Sequence, residues 1–229
     1  MLLSHGFTGS PGSMRAWGEF LNGLGYAVEV PRLPGHGTTW REMNTTGWAD
    51  WYGEVTRAYA TLAGETDVVV AGGLSMGGAL VLRLAEDHPE IAGVIVVNPA
   101  VATKRRDTRL LPVLKHLIPA MPGISSDIKK PGVVEDAYPR TPLKAAHSMM
   151  RAWPRVVADL PNITAPLLYF RSTVDHVVDE LSEPLILDRV KSSDVTVVRL
   201  EDSYHVATVD NDAETIFERS AEFIARVTV

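Results

Sequence analysis

The sequence predicts an α/β protein: a mostly parallel central sheet flanked by helices and interrupted by an inserted helical stretch. Three observations point there. Short, uniformly apolar runs rich in Val, Ile and Leu recur along the chain, amphipathic stretches at helical spacing alternate with them, and a proline-dense middle breaks that rhythm. Strands that are apolar on both faces belong in a sheet covered on both sides, and regular strand–helix alternation makes such a sheet parallel.

Taken in order, Leu2-Leu3-Ser4 reads as the end of a strand, and residues 13–24 as a helix closing at Gly25. Tyr26–Val30 is a second strand candidate, stopped by Pro31, which has no N–H to donate. Residues 47–63 carry Trp48, Trp51, Val55, Ala58 and Leu62 at helical spacing. Asp67–Ala71 is a β-branched run that passes into glycines and then a helix through Ala79–Ala85. Ile91–Val97, Pro166–Phe170 and Val195–Leu200 are three more strands, and a helix from Ala213 to Val227 follows.

Between Ala100 and Pro161 no strand is predicted. Eight of the 15 prolines fall there, so short helices separated by proline breaks are expected. Residues 101–160 also hold 11 Lys/Arg against 5 Asp/Glu, a net +6, whereas the remainder carries −12. Residues 1–100 and 161–229 are therefore expected to form the α/β core, with 101–160 inserted as a helical cap.

Composition excludes several classes. A length of 229 residues predicts one domain or at most two. The chain has no cysteine, which removes disulfide scaffolds, thiolate metal sites and cysteine nucleophiles. A formal charge of −6 argues against a general nucleic-acid footprint. No apolar run approaches the roughly 18 residues of a membrane span. Met1–Gly6 shows no basic region followed by an apolar one, so a cytoplasmic chain is expected.

Chemistry concentrates at Gly73-Leu74-Ser75-Met76-Gly77, which matches G-x-S-x-G. A Gly-rich turn with a helix-capping serine would share the bare pattern. Here a buried strand runs straight into the pattern and a helix begins just after it, the setting in which a serine projects from a sharp turn above a sheet. A serine hydroxyl is a weak nucleophile and needs a base, itself oriented by a third group. His205 suits the base, since it follows the strand ending at Leu200 and so lies at the carboxyl ends of the strands, beside Ser75. Asp175 suits the orienting acid, five residues beyond Phe170, with Asp179 as its competitor. A developing oxyanion would be held by the backbone N–H groups of Met76 and Phe7, the latter in the early loop His5-Gly6-Phe7-Thr8-Gly9.

That loop, Pro34-Gly35-His36-Gly37, the Gly73–Gly78 motif and the Asp175 and His205 loops together resemble the α/β-hydrolase superfamily. Within it the chain is similar to bacterial carboxylesterases and monoacylglycerol lipases with a small helical cap, and the likeness spans nearly the whole sequence. The resemblance implies an α/β-hydrolase fold and hydrolysis of carboxylic esters through an acyl-enzyme, without a cofactor. Short- to medium-chain acyl esters, monoacylglycerols among them, are the expected substrates. A thioesterase, an acyltransferase or a carbon–carbon bond hydrolase would use the same three residues, and a non-catalytic ligand-binding module on this fold is a further alternative. Family members place one or two strands before the His-Gly loop, so either the sheet is shortened here or, as expected, the native N-terminus extends before Met1.

Other residues receive structural readings. His5 and His36 are expected to hold loops, His176 to follow its neighbour Asp175, and His88, His116 and His147 to be solvated. No metal-ligand spacing is present. Most apolar cap residues should pack onto the core, while Leu114, Ile118, Met149 and Trp153 are candidates to line an apolar pocket over Ser75. The run Lys104-Arg105-Arg106 is either a solvated surface or an attractor of anionic or interfacial substrates, with contact to a lipid interface left open.

Overall fold

The computed structural model describes residues 1–124 and 126–228. The chain runs β1 (Leu2–Ser4), α1 (Gly12–Gly23), α2 (Trp40–Met43), α3 (Trp48–Glu65), β2 (Val70–Leu74), α4 (Met76–Asp87) and β3 (Gly93–Val97). The inserted stretch contributes α5 (Leu111–Leu117), β4 (Ala120–Pro122), β5 (Arg140–Pro142) and α6 (Leu143–Asp159). It is followed by β6 (Leu167–Ser172), α7 (Ser182–Leu187), β7 (Val195–Leu200) and α8 (Ala213–Val227).

Five strands form one sheet in the order β1-β2-β3-β6-β7, with every neighbouring pair parallel. Their apolar runs are continuous because both faces are covered. Side chains alternate across a strand, so Leu2, Val94, Val96, Leu167 and Tyr169 join one core with Trp51 and Val55 of α3, Leu80 and Leu84 of α4, and Trp153 and Val156 of α6. Leu3, Ile95, Val97, Leu168 and Phe170 point the other way. They pack with Met14, Trp17 and Leu21 of α1 and with Ile216, Phe217, Phe223 and Ile224 of α8. The predicted α/β-hydrolase architecture is borne out.

Four local expectations are corrected. Tyr26–Val30 is not a strand: Leu3 N–H donates to Glu29 O and Glu29 N–H to Met1 O, which makes one isolated parallel bridge beside a three-residue β1. β2 lies three residues later than the β-branched run suggests, because its register pairs Val70 with Gly93 and Leu74 with Val97. The inserted stretch does contain strands, β4 and β5, paired antiparallel from Ala120–Pro142 to Pro122–Arg140. Their shortness and flanking prolines hid them, since Pro is tolerated on such edges. Finally, α6 continues through Pro154. An interior proline costs a helix about 3 kcal/mol. Burying Met149, Trp153 and Val156 on one side of α6 offsets that, at about 1.5–3 kcal/mol for each fully buried large side chain.

Candidate active site

Ser75 occupies the turn between β2 and α4 at φ 56° and ψ −118°. That left-handed backbone is unfavourable for a residue with a Cβ, so its surroundings must hold it. Ser75 N–H donates to Val97 O at 2.9 Å, and Ser75 O accepts from Ala79 and Ala100 N–H at 3.2 Å each. The turn closes only over glycine at position 77, where a Cβ would lie 2.0 Å from Ser4 O. Ser75 is thereby set at the carboxyl end of β2, lining a cavity of about 410 Å³.

His205 follows β7 and lines the same cavity. Its Nδ1 lies 3.0 Å from Oδ2 of Asp175, whose side chain is fully buried. The Asp175 carboxylate accepts from Arg171 Nη1 at 2.9 Å on Oδ2, and from Val177 and Val178 N–H at 2.9 and 2.8 Å on Oδ1. Burial pushes this carboxyl up, but His205, the Val178 N–H and the Arg171 guanidinium together outweigh it and hold Asp175 below the usual carboxylate range. Asn98, fully buried at the end of β3, donates to His205 O at 2.9 Å and accepts from Ser172 N–H at 2.9 Å. It ties the ends of β3 and β6 to the His205 loop.

Asp179 lines the same cavity but makes no contact with His205. Its Oδ2 accepts from Lys104 N–H at 2.6 Å and from Thr103 Oγ1 at 3.2 Å, so it anchors the first residues of the inserted stretch.

Phe7 and Ser75 line the cavity together, and Met76 opens the first turn of α4, where N–H groups have no partner within the helix. The Phe7 loop is held by His5, which is fully buried. His5 Nε2 accepts from Leu33 N–H at 3.2 Å, while Nδ1 lies 3.0 Å from Gly6 O. Burial pushes His5 down to about 3, so it is neutral, with its proton on Nδ1. His36 packs edge-on against His5 and Trp51 and is likewise pushed down by burial, to about 4.

The cavity's apolar wall comes largely from the inserted stretch: Ile124, Ala146, Met149, Met150 and Trp153. Leu114 and Ile118 do not line it. α6, with the longer apolar face, takes the cavity-facing place, and α5 packs against α6, leaving Leu114 half-buried and Ile118 exposed. Polar residues that sequence reasoning passed over also line the cavity, Ser126, Asp127 and Glu135 among them. Burial pushes the Glu135 carboxyl above the usual carboxylate range, against the pull of His205. In the basic run, Lys104 pairs with Glu180 and Arg105 with Asp107, so part of its charge is neutralised locally. Among the described residues no cluster of three or more His, Cys, Asp or Glu is arranged for a metal ion, and no helix is long and apolar enough to cross a membrane.

Comparison with known proteins agrees with this geometry. Residues 1–212 match the family described as serine aminopeptidase, S33. The thermostable monoacylglycerol lipase of Bacillus sp. (strain H-257) is 41% identical over 99% of this chain and 90% of its own length. The carboxylesterase of Bacillus subtilis (strain 168) is 28% identical over 99% and 92%. A solved structure from work on two metagenome-derived lipolytic enzymes, LipS and LipT, superposes with a TM-score of 0.95 at 42% identity, covering 98% of this chain and 92% of that one. An α/β sheet with a serine elbow, matched over most of its length by that family, makes this chain a member of the serine aminopeptidase S33 family of α/β-hydrolases.

Proposed function

We propose that the chain is a serine esterase that cleaves short- to medium-chain acyl esters, monoacylglycerols among them, through an acyl-enzyme. The observation that carries this reading is the buried Asp175–His205 pair opening into the same cavity as the strained Ser75 turn. The near-full-length likeness to a monoacylglycerol lipase and a carboxylesterase supports the ester as the substrate class.

In the proposed reaction His205 Nε2 takes the Ser75 proton as Oγ bonds to the ester carbonyl carbon. The carbonyl π electrons move onto oxygen, and the N–H groups of Phe7 and Met76 donate hydrogen bonds to the resulting oxyanion. Collapse breaks the bond to the alcohol oxygen, which leaves with the proton from His205. A water molecule then gives one proton to His205 as its oxygen bonds to the acyl carbon; collapse breaks the bond to Ser75 Oγ, releases the carboxylic acid and returns the proton from His205 to Oγ. Asp175 keeps Nδ1 protonated and stabilises the imidazolium. Met149, Met150 and Trp153 would take the acyl chain, since flexible thioethers adapt to it. Glu135 and Ser126 would face the hydroxyls of the alcohol. Residues 101–160 act in this reading as the cap over Ser75, and the acidic body leaves no role for a nucleic-acid partner.

Turnover of a panel of p-nitrophenyl and monoacylglycerol esters tests the proposal. Activity peaking at short to medium chains and abolished by Ser75→Ala is expected. A Ser75→Ala variant with most of the parental activity would refute it.

A further inference from the structure

We infer that Asp127, from the inserted stretch, is a positioning residue for His205, an inference that rests on the esterase reading. Asp127 lies 49 residues from His176 and 78 from His205 in the chain, yet one carboxylate meets both. Its Oδ2 accepts from His176 N–H at 3.1 Å and from His205 N–H at 3.2 Å, and its Oδ1 lies 2.8 Å from His176 Nδ1. The Asp127 carbonyl also accepts from Val206 N–H at 3.1 Å. The side chain is only 9% exposed, so these contacts are sheltered from competing water.

The arrangement is reciprocal. Asp210, in the loop beyond His205, is buried and accepts from Lys129 and Lys130 N–H at 2.7 and 2.8 Å, as well as from Tyr204 N–H at 2.9 Å. Lys129 Nζ adds an ion pair with Asp202 at 2.6 Å. A strap of the inserted stretch, residues 127–130, is thus stitched along the loop that carries His205.

Asp127 joins that loop to the Asp175 loop through His176, which directly follows Asp175; it acts beside Ser172 Oγ, which donates to Tyr204 O at 2.8 Å, and the edge-on packing of His176 against Tyr204. Asp175 and His205 are 30 residues apart and meet through one side-chain contact. Where those links hold the bases of the two loops, the carboxylate of Asp127 ties the backbone N–H groups of His176 and His205 themselves to one oxygen, so that the imidazole arrives at Asp175 Oδ2 already aligned. The inserted stretch therefore does more than cover the cavity: it completes the alignment of the base. Displacing a reacting group by about 1 Å typically costs on the order of 10²-fold in rate.

The test uses the full chain and two readouts: kcat and KM for a p-nitrophenyl ester, and the rate constant for phosphonylation of Ser75 by a fluorophosphonate, which depends on base alignment but not on recognition of an ester. Asp127→Ala should slow both kcat and phosphonylation by about 10- to 100-fold, with KM changing less than about 3-fold. Asp127→Asn keeps one acceptor oxygen for the two backbone N–H groups, and the other tautomer of His176 can accept from the amide. That variant should recover to within about 5-fold of the parent. Asp127→Glu keeps the charge but moves the carboxylate by one methylene, and should lose rate like Asp127→Ala, which serves as the test if the alanine variant does not fold. Parental phosphonylation in Asp127→Ala or Asp127→Glu, or a loss confined to KM, overturns the positioning role. If the unmodified chain itself is not labelled, the esterase reading falls first, and the role of Asp127 with it.

Discussion

Replacing Asp175 by asparagine probes the buried pair with the smallest change in shape. The carboxylate has four donors: Val177 and Val178 N–H on Oδ1, and Arg171 Nη1 and His205 Nδ1 on Oδ2. An amide has one acceptor oxygen and one donor nitrogen. If its oxygen takes the two backbone N–H groups, its NH₂ meets the Arg171 guanidinium, and His205 must turn Nδ1 into an acceptor, leaving Nε2 protonated and unable to accept from Ser75. The opposite orientation sets NH₂ against two backbone N–H groups. Wrong-tautomer variants of this kind lose about 10⁴-fold in kcat, and a sheltered donor left without its partner costs about 1–3 kcal/mol in stability. The pH dependence has a definite sign. Because the folded-state value of Asp175 is lowered, its stabilising contribution is present above the unfolded value near pH 4 and is lost as pH falls through the lower folded value. Urea midpoints should therefore separate parent and Asp175→Asn most at pH 7, with the gap closing toward pH 3. An Asp175→Asn variant holding more than about a tenth of the parental kcat/KM would refute this reasoning.

Three more outcomes are expected. Gly77→Ala places a Cβ 2.0 Å from Ser4 O, so the strand–turn–helix unit must open. The cost should be about 3 kcal/mol or more, and a melting temperature equal to the parent's would contradict it. Arg83 serves three carboxylates, Glu86, Asp87 and Asp159, and burial pushes Glu86 up to about 8. A raised carboxyl keeps its proton when folded, so the stability it contributes is present below the unfolded value near pH 4.3 and is lost as pH rises to about 8. Glu86→Gln should flatten the fall in Tm between pH 5 and 8, and parallel Tm–pH curves would exclude the idea. Met149→Ala enlarges the cavity wall and should shift the preferred acyl chain to greater length, while lowering stability by about 2 kcal/mol or more. An unchanged chain-length profile would remove Met149 from the acyl site.

The sheet and its helices were legible because both-face burial writes itself as continuous apolar runs, as in Val94–Val97 with its two halves in separate cores. Ser75, Asp175 and His205 each follow a recognisable strand, so topology brings them to one edge of the sheet. Position favours Asp175 over Asp179 without deciding between them. Only the partners do so, His205 for one and the Lys104 backbone for the other. The inserted stretch was hardest to read. Its two strands are three residues each, and the proline inside α6 looks like a stop until the packing of Trp153 and Val156 is counted. Asp127 and Glu135 carry no local signal at all, because their partners lie far away in the chain. On α6, Met149 and Trp153 share a face at i, i+4, but nothing in the pattern of α5 told Leu114 and Ile118 apart from surface positions.

The nucleophile itself is tested most directly by rapid-quench mass spectrometry of the chain mixed with a short-chain p-nitrophenyl ester. A transient mass increase equal to one acyl group, mapping to the peptide that contains Ser75 and absent in Ser75→Ala, is the predicted result. Turnover without any acyl adduct on Ser75, or an adduct that persists in Ser75→Ala, would contradict it.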